Sequence, residues 1–213
     1  MVRCRIGIVI PAFNEALNIA SIVKAVILYG IPIVVDDAST DCTAALAARN
    51  GAIVVTHEYN GGYDRALSSG FKKAAEMGLE MIVSIDADGQ HDPSLLQRFI
   101  DEIDRGSDIV VGVRSRRQRF SENLFAFYTN SRFGIRDPLC GMKAYRMSVY
   151  KWTGHFDSYK SIGTELMLVA VRNGFIISQV EFSVRDRVGA SRFGNIISGN
   201  YKIIRSLILS FFY

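Results

Sequence analysis

The sequence alternates short apolar runs with longer segments of helical spacing, and this alternation restricts the fold more than any other feature. Five runs are rich in β-branched residues and are bounded by turn residues; they span 6–10, 31–35, 52–56, 81–85 and 108–113. Runs that are apolar on both faces are typical of buried strands in parallel sheets. The repeated strand and helix unit predicts an α/β layered fold, with a mostly parallel central sheet flanked by helices.

Helices are predicted between these strands and again near the C-terminus. A glycine follows each of the first four helical segments, where a helix C-terminus favours a left-handed residue: Gly30, Gly51, Gly78 and Gly106. The fourth helix is expected to begin at Asp92-Pro93, an N-cap followed by a first-turn proline. Beyond residue 113 the alternation ends. Only three elements are predicted there: a helix around 162–172, a strand around 176–184 and an amphipathic helix over 195–213.

Composition excludes several other kinds of chain. The length of 213 residues fits one domain, and 49% hydrophobic residues with only 4 prolines exclude a disordered or collagen-like chain. The 3 cysteines are odd in number and form no CxxC pair, so we expect no disulfide framework and a reducing, cytoplasmic location. No signal peptide is expected, and no run reaches the roughly 18 apolar residues of a membrane-spanning helix.

The charge is distributed unevenly along the chain. Residues 1–108 contain 9 Lys and Arg against 15 Asp and Glu, whereas residues 109–213 contain 16 against 6. A basic half on its own is compatible with nucleic-acid binding. That interpretation leaves the acidic half unexplained, so we expect no nucleic-acid partner.

Polar residues follow four of the predicted strands, at 11–15, 36–41, 57–62 and 86–91. In open α/β sheets ligands bind beyond the carboxyl ends of the strands, so these segments should meet at one edge. Asp86 and Asp88, with Gln90, offer hard oxygen ligands for Mg²⁺ or Mn²⁺ that also bridge a diphosphate. Each acidic cluster could alone form only a turn or a helix cap. Two such clusters at equivalent places weaken that simpler interpretation.

These segments resemble family 2 glycosyltransferases with the GT-A fold, particularly their polyprenyl-phosphate, dolichol-phosphate mannose synthase-like branch. The similar segments cover nearly the whole chain, in the same order and spacing: 9–15, 34–41, 86–91, 112–114, 137–143 and 187–192. The last of them departs from the family pattern, because it is one residue shorter before its glycine and has Arg192 where lysine is usual. Arginine satisfies phosphate oxygens as well as lysine does.

The resemblance implies a role for individual residues. The metal ligands would be Asp86, Asp88 and Gln90. The nucleotide-sugar donor would be bound by Pro11, Phe13, Glu15, Val35, Asp37, Asp86, Ala87, Asp88, Arg114, Arg187 and Arg192. The catalytic group would comprise Asp88, Arg114 and Arg187. The chain then divides into a nucleotide- and metal-binding half at 1–113, an acceptor-side half at 114–194 and a C-terminal amphipathic helix at 195–213.

The acceptor determines whether a base is needed. A polyprenyl phosphate, undecaprenyl or dolichyl, is already ionised, and the basic stretch from Arg114 would position it, with Arg119 as a second phosphate contact. A hydroxyl acceptor requires a carboxylate base, for which Glu165 is the candidate, with Asp137 behind it. Glu165 could equally be a first-turn helix acid.

The predicted function is an inverting, metal-dependent transfer of a hexose from a UDP- or GDP-sugar to a polyprenyl phosphate. The alternatives are transfer to a hydroxyl of a cell-surface glycan or lipopolysaccharide, and a non-catalytic nucleotide-sugar-binding subunit. One face of the C-terminal helix is apolar: Ile197, Tyr201, Ile204, Ile208 and Phe211. This face is predicted to lie at the cytoplasmic surface of a membrane or against a membrane protein. Packing on the core or in a homodimer would explain it equally well.

Overall fold

The central feature of the structure, a computed structural model that describes residues 5–117, 119–184 and 196–212, is a seven-stranded sheet. Its strands are β1 (Ile6–Ala12), β2 (Ile31–Asp36), β3 (Ile53–Thr56), β4 (Met81–Ser84), β5 (Ile109–Arg114), β6 (Lys143–Arg146) and β7 (Ile177–Phe182). Their order is β3-β2-β1-β4-β6-β5-β7. The sheet is parallel except for β6, which pairs antiparallel with both β4 and β5. The prediction of a mostly parallel α/β sheet is confirmed.

Helices cover both faces of this sheet. They are α1 (Ile19–Val26), α2 (Thr43–Arg49), α3 (Tyr63–Glu76), α4 (Leu96–Asp104), α5 (Phe120–Phe133), α6 (Met147–Thr153), α7 (Glu165–Arg172) and α8 (Ile196–Leu209). A short 3₁₀ turn, Pro93–Leu95, precedes α4, and the Asp92 side chain caps it by accepting a hydrogen bond from the Ser94 amide.

Two apolar clusters, one on each side of the sheet, explain why the strands are apolar throughout. Ile8 and Ile10 of β1 belong to the cluster beneath α1 and α4, whereas Val9 belongs to the cluster beneath α3, α5 and α7. Successive side chains of a strand point to opposite faces, so a strand covered on both sides needs apolar residues at every position. Burial on both faces therefore accounts for the continuous apolar run of β1.

The first half of the fold agrees with the sequence prediction, and the second half contains elements that the prediction missed. The five predicted strands, the strand around 176–184 and the helix around 162–172 are present within a few residues of the expected bounds. The elements α5, α6 and β6 were not predicted. The buried face of α5 includes the polar Ser121, Glu122 and Thr129 beside Phe125, whereas Phe120 and Phe127 are exposed, so the helix lacks the pattern of an ordinary amphipathic helix.

The parallel strands place the residues that follow them at one edge of the sheet. Ala12 at the end of β1 is paired with Asp36 at the end of β2, which brings the next loops together. Because β6 runs the opposite way, the residues that precede it, including Leu139 and Gly141, reach the same edge. Within the described part of the chain, no helix is long and apolar enough to cross a membrane.

Candidate active site

A cavity of about 300 Å³ opens at the carboxyl edge of the sheet. It brings together most of the residues that the sequence predicted for the site: Pro11, Phe13, Glu15, Asp37, Asp86, Ala87, Asp88, Gln90, Arg114 and Arg119. Arg187 and Arg192 lie outside the described residues. The strand ends thus gather the predicted donor-side and acceptor-side residues around one space, and their individual roles remain predictions.

Two predicted residues lie away from this cavity. Val35 is fully buried, and its side chain faces α3, where a Cβ added to Gly70 would lie 3.3 Å from its Cγ2. Glu165 is also buried. Its Oε1 lies 2.9 Å from His155 Nε2, and its Oε2 accepts a hydrogen bond of 2.6 Å from the Ser158 amide. This environment fixes the loop that precedes α7 and gives Glu165 an evident structural role.

The loops after β1 and β2 are joined by side-chain to backbone hydrogen bonds. Asn14 adopts a left-handed conformation with φ of 54°, and its backbone amide donates to Ser39 Oγ at 2.8 Å. Its side-chain Oδ1 accepts from the Thr40 amide, also at 2.8 Å. Short polar side chains such as asparagine tolerate this conformation. The two loops therefore form one connected wall of the cavity.

Asp37 lies at the base of this wall and is held by neutral donors and a histidine. Its Oδ2 accepts from the Gly62 amide at 2.7 Å, and its Oδ1 accepts from the Gly61 amide at 2.9 Å. His57 Nδ1 lies 2.7 Å from the same Oδ1, and the other ring nitrogen contacts Ser69 Oγ. The carboxylate is thus fixed in orientation from several sides.

Asp86 and Asp88 face the cavity directly after β4. The Asp86 side chain is 28% exposed, and Asp88 Oδ1 accepts a hydrogen bond from the Gln90 amide at 3.0 Å. Tyr63 lines the same cavity. Desolvation, followed by the charges of Asp86 and Asp64, raises the pKa of Tyr63 well above its ordinary value, so the phenol stays protonated.

The oxygen atoms of Asp86, Asp88 and Gln90 suit a hard divalent cation. Among the described residues there is no cluster of three or more His, Cys, Asp or Glu side chains arranged to hold a metal ion. Mg²⁺ is usually bound by only one or two carboxylates together with substrate phosphates, and Mn²⁺ also favours oxygen ligands. The carboxylates of Asp86 and Asp88 and the side-chain amide of Gln90 carry oxygen atoms that can bind a metal ion. They line a cavity that leaves space for such phosphates.

Arg114 lines the same cavity, and two carboxylates fix its guanidinium. Nε donates to Asp137 Oδ2 at 2.8 Å, and Nη2 donates to Asp137 Oδ1 at 2.9 Å and to Glu122 Oε2 at 3.1 Å. Although desolvation lowers it, the hydrogen bonds and charge of Asp137 raise the pKa of Arg114 overall. Arg119 extends this cluster, with Nη1 3.8 Å from Glu122 Oε1. The guanidinium of Arg114 is therefore preorganised at the cavity.

A loop between α6 and α7 closes one side of the cavity through Ile162. Its next residue, Gly163, donates its amide to Asp64 Oδ1 at 2.6 Å and accepts from Lys143 Nζ at 2.7 Å. Burial lowers the pKa of Lys143 to about 8. Burial, followed by the charge of Asp157, raises the pKa of Asp64 to about 7. Burial also acts to raise the pKa of Asp157, but the hydrogen bonds that Asp157 accepts, those from Ser161 first, lower its pKa overall.

Several residues at the site were missed by sequence reasoning. Tyr63 directly follows the polar segment 57–62, so its position at the sheet edge could have identified it, whereas His91 belongs to the predicted segment 86–91 but was given no role. Glu122 lies in the region without a clear period, where no such signal existed, whereas Gly141 lies in the segment 137–143 that resembles the family but was given no role of its own. Their contribution depends on α5 and on the antiparallel strand β6.

Comparisons with known proteins agree with this geometry. The sequence model described as glycosyl transferase family 2 matches residues 7–161. Polyprenol monophosphomannose synthase of Mycolicibacterium smegmatis is 31% identical over 228 residues, which cover 92% of this chain and 84% of that protein. UDP-N-acetylglucosamine–dolichyl-phosphate N-acetylglucosaminyltransferase of Methanococcus voltae is 26% identical, over 96% of this chain and 95% of that protein.

Solved structures show the same fold. Glucosyl-3-phosphoglycerate synthase from Mycobacterium tuberculosis, in complex with Mn²⁺, UDP and phosphoglyceric acid, superposes with a TM-score of 0.77 at 21% identity. The match covers 98% of this chain and 78% of that chain. The fold and cavity thus define a glycosyltransferase of the GT-A class. With the family match over most of its length, the chain belongs to glycosyl transferase family 2.

Proposed function

We propose that this glycosyltransferase moves a hexosyl group, with inversion, from a UDP- or GDP-sugar to a polyprenyl phosphate. The observation that carries the proposal is the distribution of charged side chains around the cavity. The donor side presents Asp86 and Asp88, whereas the acceptor-side carboxylates are engaged by arginine or by hydrogen bonds. An acceptor that brings its own negative charge suits this arrangement.

On the donor side, Asp86, Asp88 and Gln90 would hold Mg²⁺ or Mn²⁺. When bound, such an ion stabilises the negative charge that develops on the departing nucleoside diphosphate. The chain's own residues orient the donor: the joined loops after β1 and β2 form the wall expected to hold the nucleoside, with Pro11, Phe13 and Asp37 on it.

On the acceptor side, neither described carboxylate that the sequence offered as a base is free to act as one, which favours a phosphate acceptor over a hydroxyl. A general base must lie within hydrogen-bond reach of the proton it removes. Among the described residues considered for that role, Glu165 is occupied by His155 and Ser158, and Asp137 is 1% exposed and bound bidentately by Arg114. A phosphate oxygen is already ionised and needs only positioning, which Arg114 and Arg119 can supply.

The relatives support this choice of acceptor. The two transferases described above are named for polyprenol and dolichyl phosphate, and a further relative from Pseudomonas aeruginosa is named as an undecaprenyl-phosphate transferase. The relatives differ in the sugars that they are named for. We therefore assign the lipid phosphate as the acceptor class and leave the sugar to be identified by assay.

The surface beside the cavity suits a lipid-linked acceptor. Arg119 lines the cavity immediately before α5, whose first residue, Phe120, is 80% exposed. On α8, Ile203 lines the cavity while Ile197 and Tyr201 are exposed. An acceptor phosphate at the arginines would leave its apolar chain next to exposed apolar side chains at the surface of a bilayer. These exposed apolar side chains support the proposal that the enzyme works at the cytoplasmic face of a membrane.

A transfer assay tests the proposal. The purified chain is incubated with UDP- and GDP-linked hexoses and with undecaprenyl or dolichyl phosphate in detergent, with Mn²⁺ or with EDTA. We expect a lipid-linked sugar only with the divalent cation. Transfer to a glycan hydroxyl, with none to the lipid phosphates, would contradict the choice of acceptor. A lack of Mn²⁺-dependent binding of every nucleotide sugar in calorimetry would instead favour a non-catalytic subunit.

A further inference from the structure

The outer side of α5 borders a second cavity, separate from the one at the carboxyl edge of the sheet. Its volume is about 460 Å³. Three side chains of α5 line it at spacings of four and three residues: Asn123, Phe127 and Asn130. Arg117 and Arg136 contribute from the segments before and after the helix. Glu122, in contrast, is buried and lines the candidate active site, so α5 separates the two cavities.

The Arg117 guanidinium in this second cavity has neutral hydrogen-bond partners only. Nη1 donates to Asn123 Oδ1 at 3.2 Å, and Nη2 donates to the backbone carbonyl of Arg136. Its Nε is buried and has no hydrogen-bond partner in the described part of the chain. Arg114, three residues earlier, is instead held by two carboxylates. The positive charge of Arg117 is therefore positioned by the fold but is not balanced by a described acidic side chain.

An exposed apolar stripe runs along α5 beside this cavity. It consists of Phe120, Leu124 and Phe127, and all three side chains are exposed to solvent. Helix positions that are three and four residues apart share a face, so these side chains lie in one row. Phe127 also lines the second cavity. The apolar stripe and the arginine-containing cavity therefore adjoin each other.

The helix α8 extends the apolar surface beyond α5. The two helices pack together, and Ser121 Oγ of α5 donates to Asn200 Oδ1 of α8. Ile203 and Leu207 form the buried side of α8. Its exposed apolar side chains are Ile197, Tyr201, Ile204 and Ile208. Two packed helices thus present apolar side chains to solvent, and a surface of this kind next to basic residues is typical of a membrane interface.

We propose that the second cavity binds the phosphate of an anionic phospholipid headgroup, while the stripe on α5 enters the surface of the bilayer. The unbalanced charge of Arg117 favours an anion, and phosphate oxygens accept charge-assisted hydrogen bonds from a guanidinium. The adjoining stripe favours a lipid over a free phosphate, because the acyl chains would lie against Phe127. This inference rests on the proposed function, since a polyprenyl phosphate acceptor requires a bilayer. Arg119 would then face the acceptor beside the anchored helix.

Vesicle binding tests this site without donor or metal. The full chain is mixed with vesicles of phosphatidylcholine, with or without phosphatidylglycerol, and the bound fraction is measured by co-flotation. Arg117→Gln is compared with Arg132→Gln, which removes the same charge from the other end of α5, outside the cavity. We expect anionic vesicles to bind Arg117→Gln at least about fivefold more weakly than the wild type, equivalent to about 1 kcal/mol. The loss for Arg132→Gln should be smaller.

A second pair of variants keeps every hydrogen bond of Arg117. Asn130→Glu places a negative charge in the cavity, whereas Asn130→Gln is neutral at the same exposed position. Only Asn130→Glu should weaken binding to anionic vesicles. Phe127→Gln should weaken binding to both kinds of vesicle, and Leu28→Gln, at an exposed position shortly before β2, should weaken neither. Melting temperatures without vesicles report whether each variant is folded, and the Asn130 pair decides if Arg117→Gln is not.

Several outcomes would overturn this inference. They are a wild type that does not bind anionic vesicles, equal losses for the two folded arginine variants, and equal binding by the two Asn130 variants. Arg117-dependent binding of inorganic phosphate without vesicle binding would assign the cavity to a free phosphate and also overturn it. The transfer assay in detergent is a separate measurement. If that assay fails while Arg117-dependent vesicle binding persists, the proposed function fails and the headgroup site stands.

Discussion

The two sides of the cavity hold their carboxylates in different ways. On the proposed donor side, backbone amides and a histidine orient them: the Gln90 backbone amide for Asp88, and two glycine amides with His57 for Asp37. On the acceptor side, guanidinium groups hold them, with Arg114 binding both Asp137 and Glu122. If the proposed roles hold, the donor side orients negative charge for an incoming cation, whereas the acceptor side balances negative charge within the protein.

This difference revises what the uneven charge of the sequence means. The basic half carries 16 Lys and Arg against 6 Asp and Glu, and some of those arginines are used internally. Arg136 pairs with Glu181, and Arg114 with Asp137 and Glu122. An arginine fixed by carboxylates still presents its remaining N–H groups in a defined direction. The acceptor half is therefore better described as a preorganised guanidinium site than as a diffuse basic surface.

The largest effect is expected from removing charge on the donor side. Asp86→Asn should lower Mn²⁺-dependent transfer by at least about 100-fold, because the charge that helps to hold the cation at the leaving group is lost. Asp92→Asn is the matched control, since Asp92 lies on the same loop and caps the 3₁₀ turn. Initial rates with saturating donor test this prediction. Equal rates for the two variants would contradict the donor-side assignment.

The second effect is on the stability of the acceptor side. Asp137→Asn leaves the Arg114 guanidinium with an incomplete set of buried partners, and breaking such a pair costs about 3–5 kcal/mol. Glu181→Gln removes the exposed partner of Arg136 and should cost less than about 1 kcal/mol. Urea unfolding of both variants measures the difference. Similar losses would mean that the Arg114 cluster is not preorganised by its carboxylates.

The contrast between the halves also explains how much the sequence could predict. The donor half follows one rule, in which apolar strands end in polar loops at a shared edge, so Asp37, Asp86, Asp88 and Gln90 were all placed correctly at the cavity. The same rule implied the order of those loops along the chain. Local pattern was sufficient there because each residue lies directly after its strand.

The acceptor half could not be predicted in this way. Glu122 reaches the cavity from α5, a helix with polar residues on its buried face, and Gly141 reaches it because β6 inserts antiparallel between β4 and β5. Lys143 begins β6, yet it is buried and donates to the carbonyl of Gly163. These positions depend on contacts between segments that are distant in the sequence. The periodicity of hydrophobic residues gives no information on such contacts.

A smaller effect is expected at Glu165, and it distinguishes the two acceptor classes. Loss of a general base costs about 10²- to 10⁴-fold, whereas Glu165→Gln retains an oxygen that can accept from the Ser158 amide. We therefore expect transfer to a polyprenyl phosphate to fall by less than about tenfold, equivalent to about 1.4 kcal/mol. Near-complete loss of turnover with intact donor binding would indicate a hydroxyl acceptor and a catalytic Glu165.

The last predicted effect is a change in how stability depends on pH. Asp64 has a pKa raised from 3.8 to about 7, so its carboxyl stays protonated in the folded chain over a range where it is ionised in the unfolded chain. A raised folded-state pKa stabilises the fold fully below about pH 4, and this contribution is lost as the pH rises toward 7. Asp157, whose pKa is lowered, contributes in the opposite direction, and its contribution is lost only under acidic conditions.

Asp64→Asn removes the titrating group while keeping an oxygen to accept the Gly163 amide. The melting temperature of the wild type, relative to this variant, should therefore fall between pH 4.5 and 7 and then become constant. Glu58→Gln, at an exposed position, controls for a general loss of charge. A constant difference between wild type and Asp64→Asn across this range would show that Asp64 is ionised throughout. The donor-side wall would then carry an additional negative charge beside Tyr63, and the contrast between the two sides would be greater than the structure indicates.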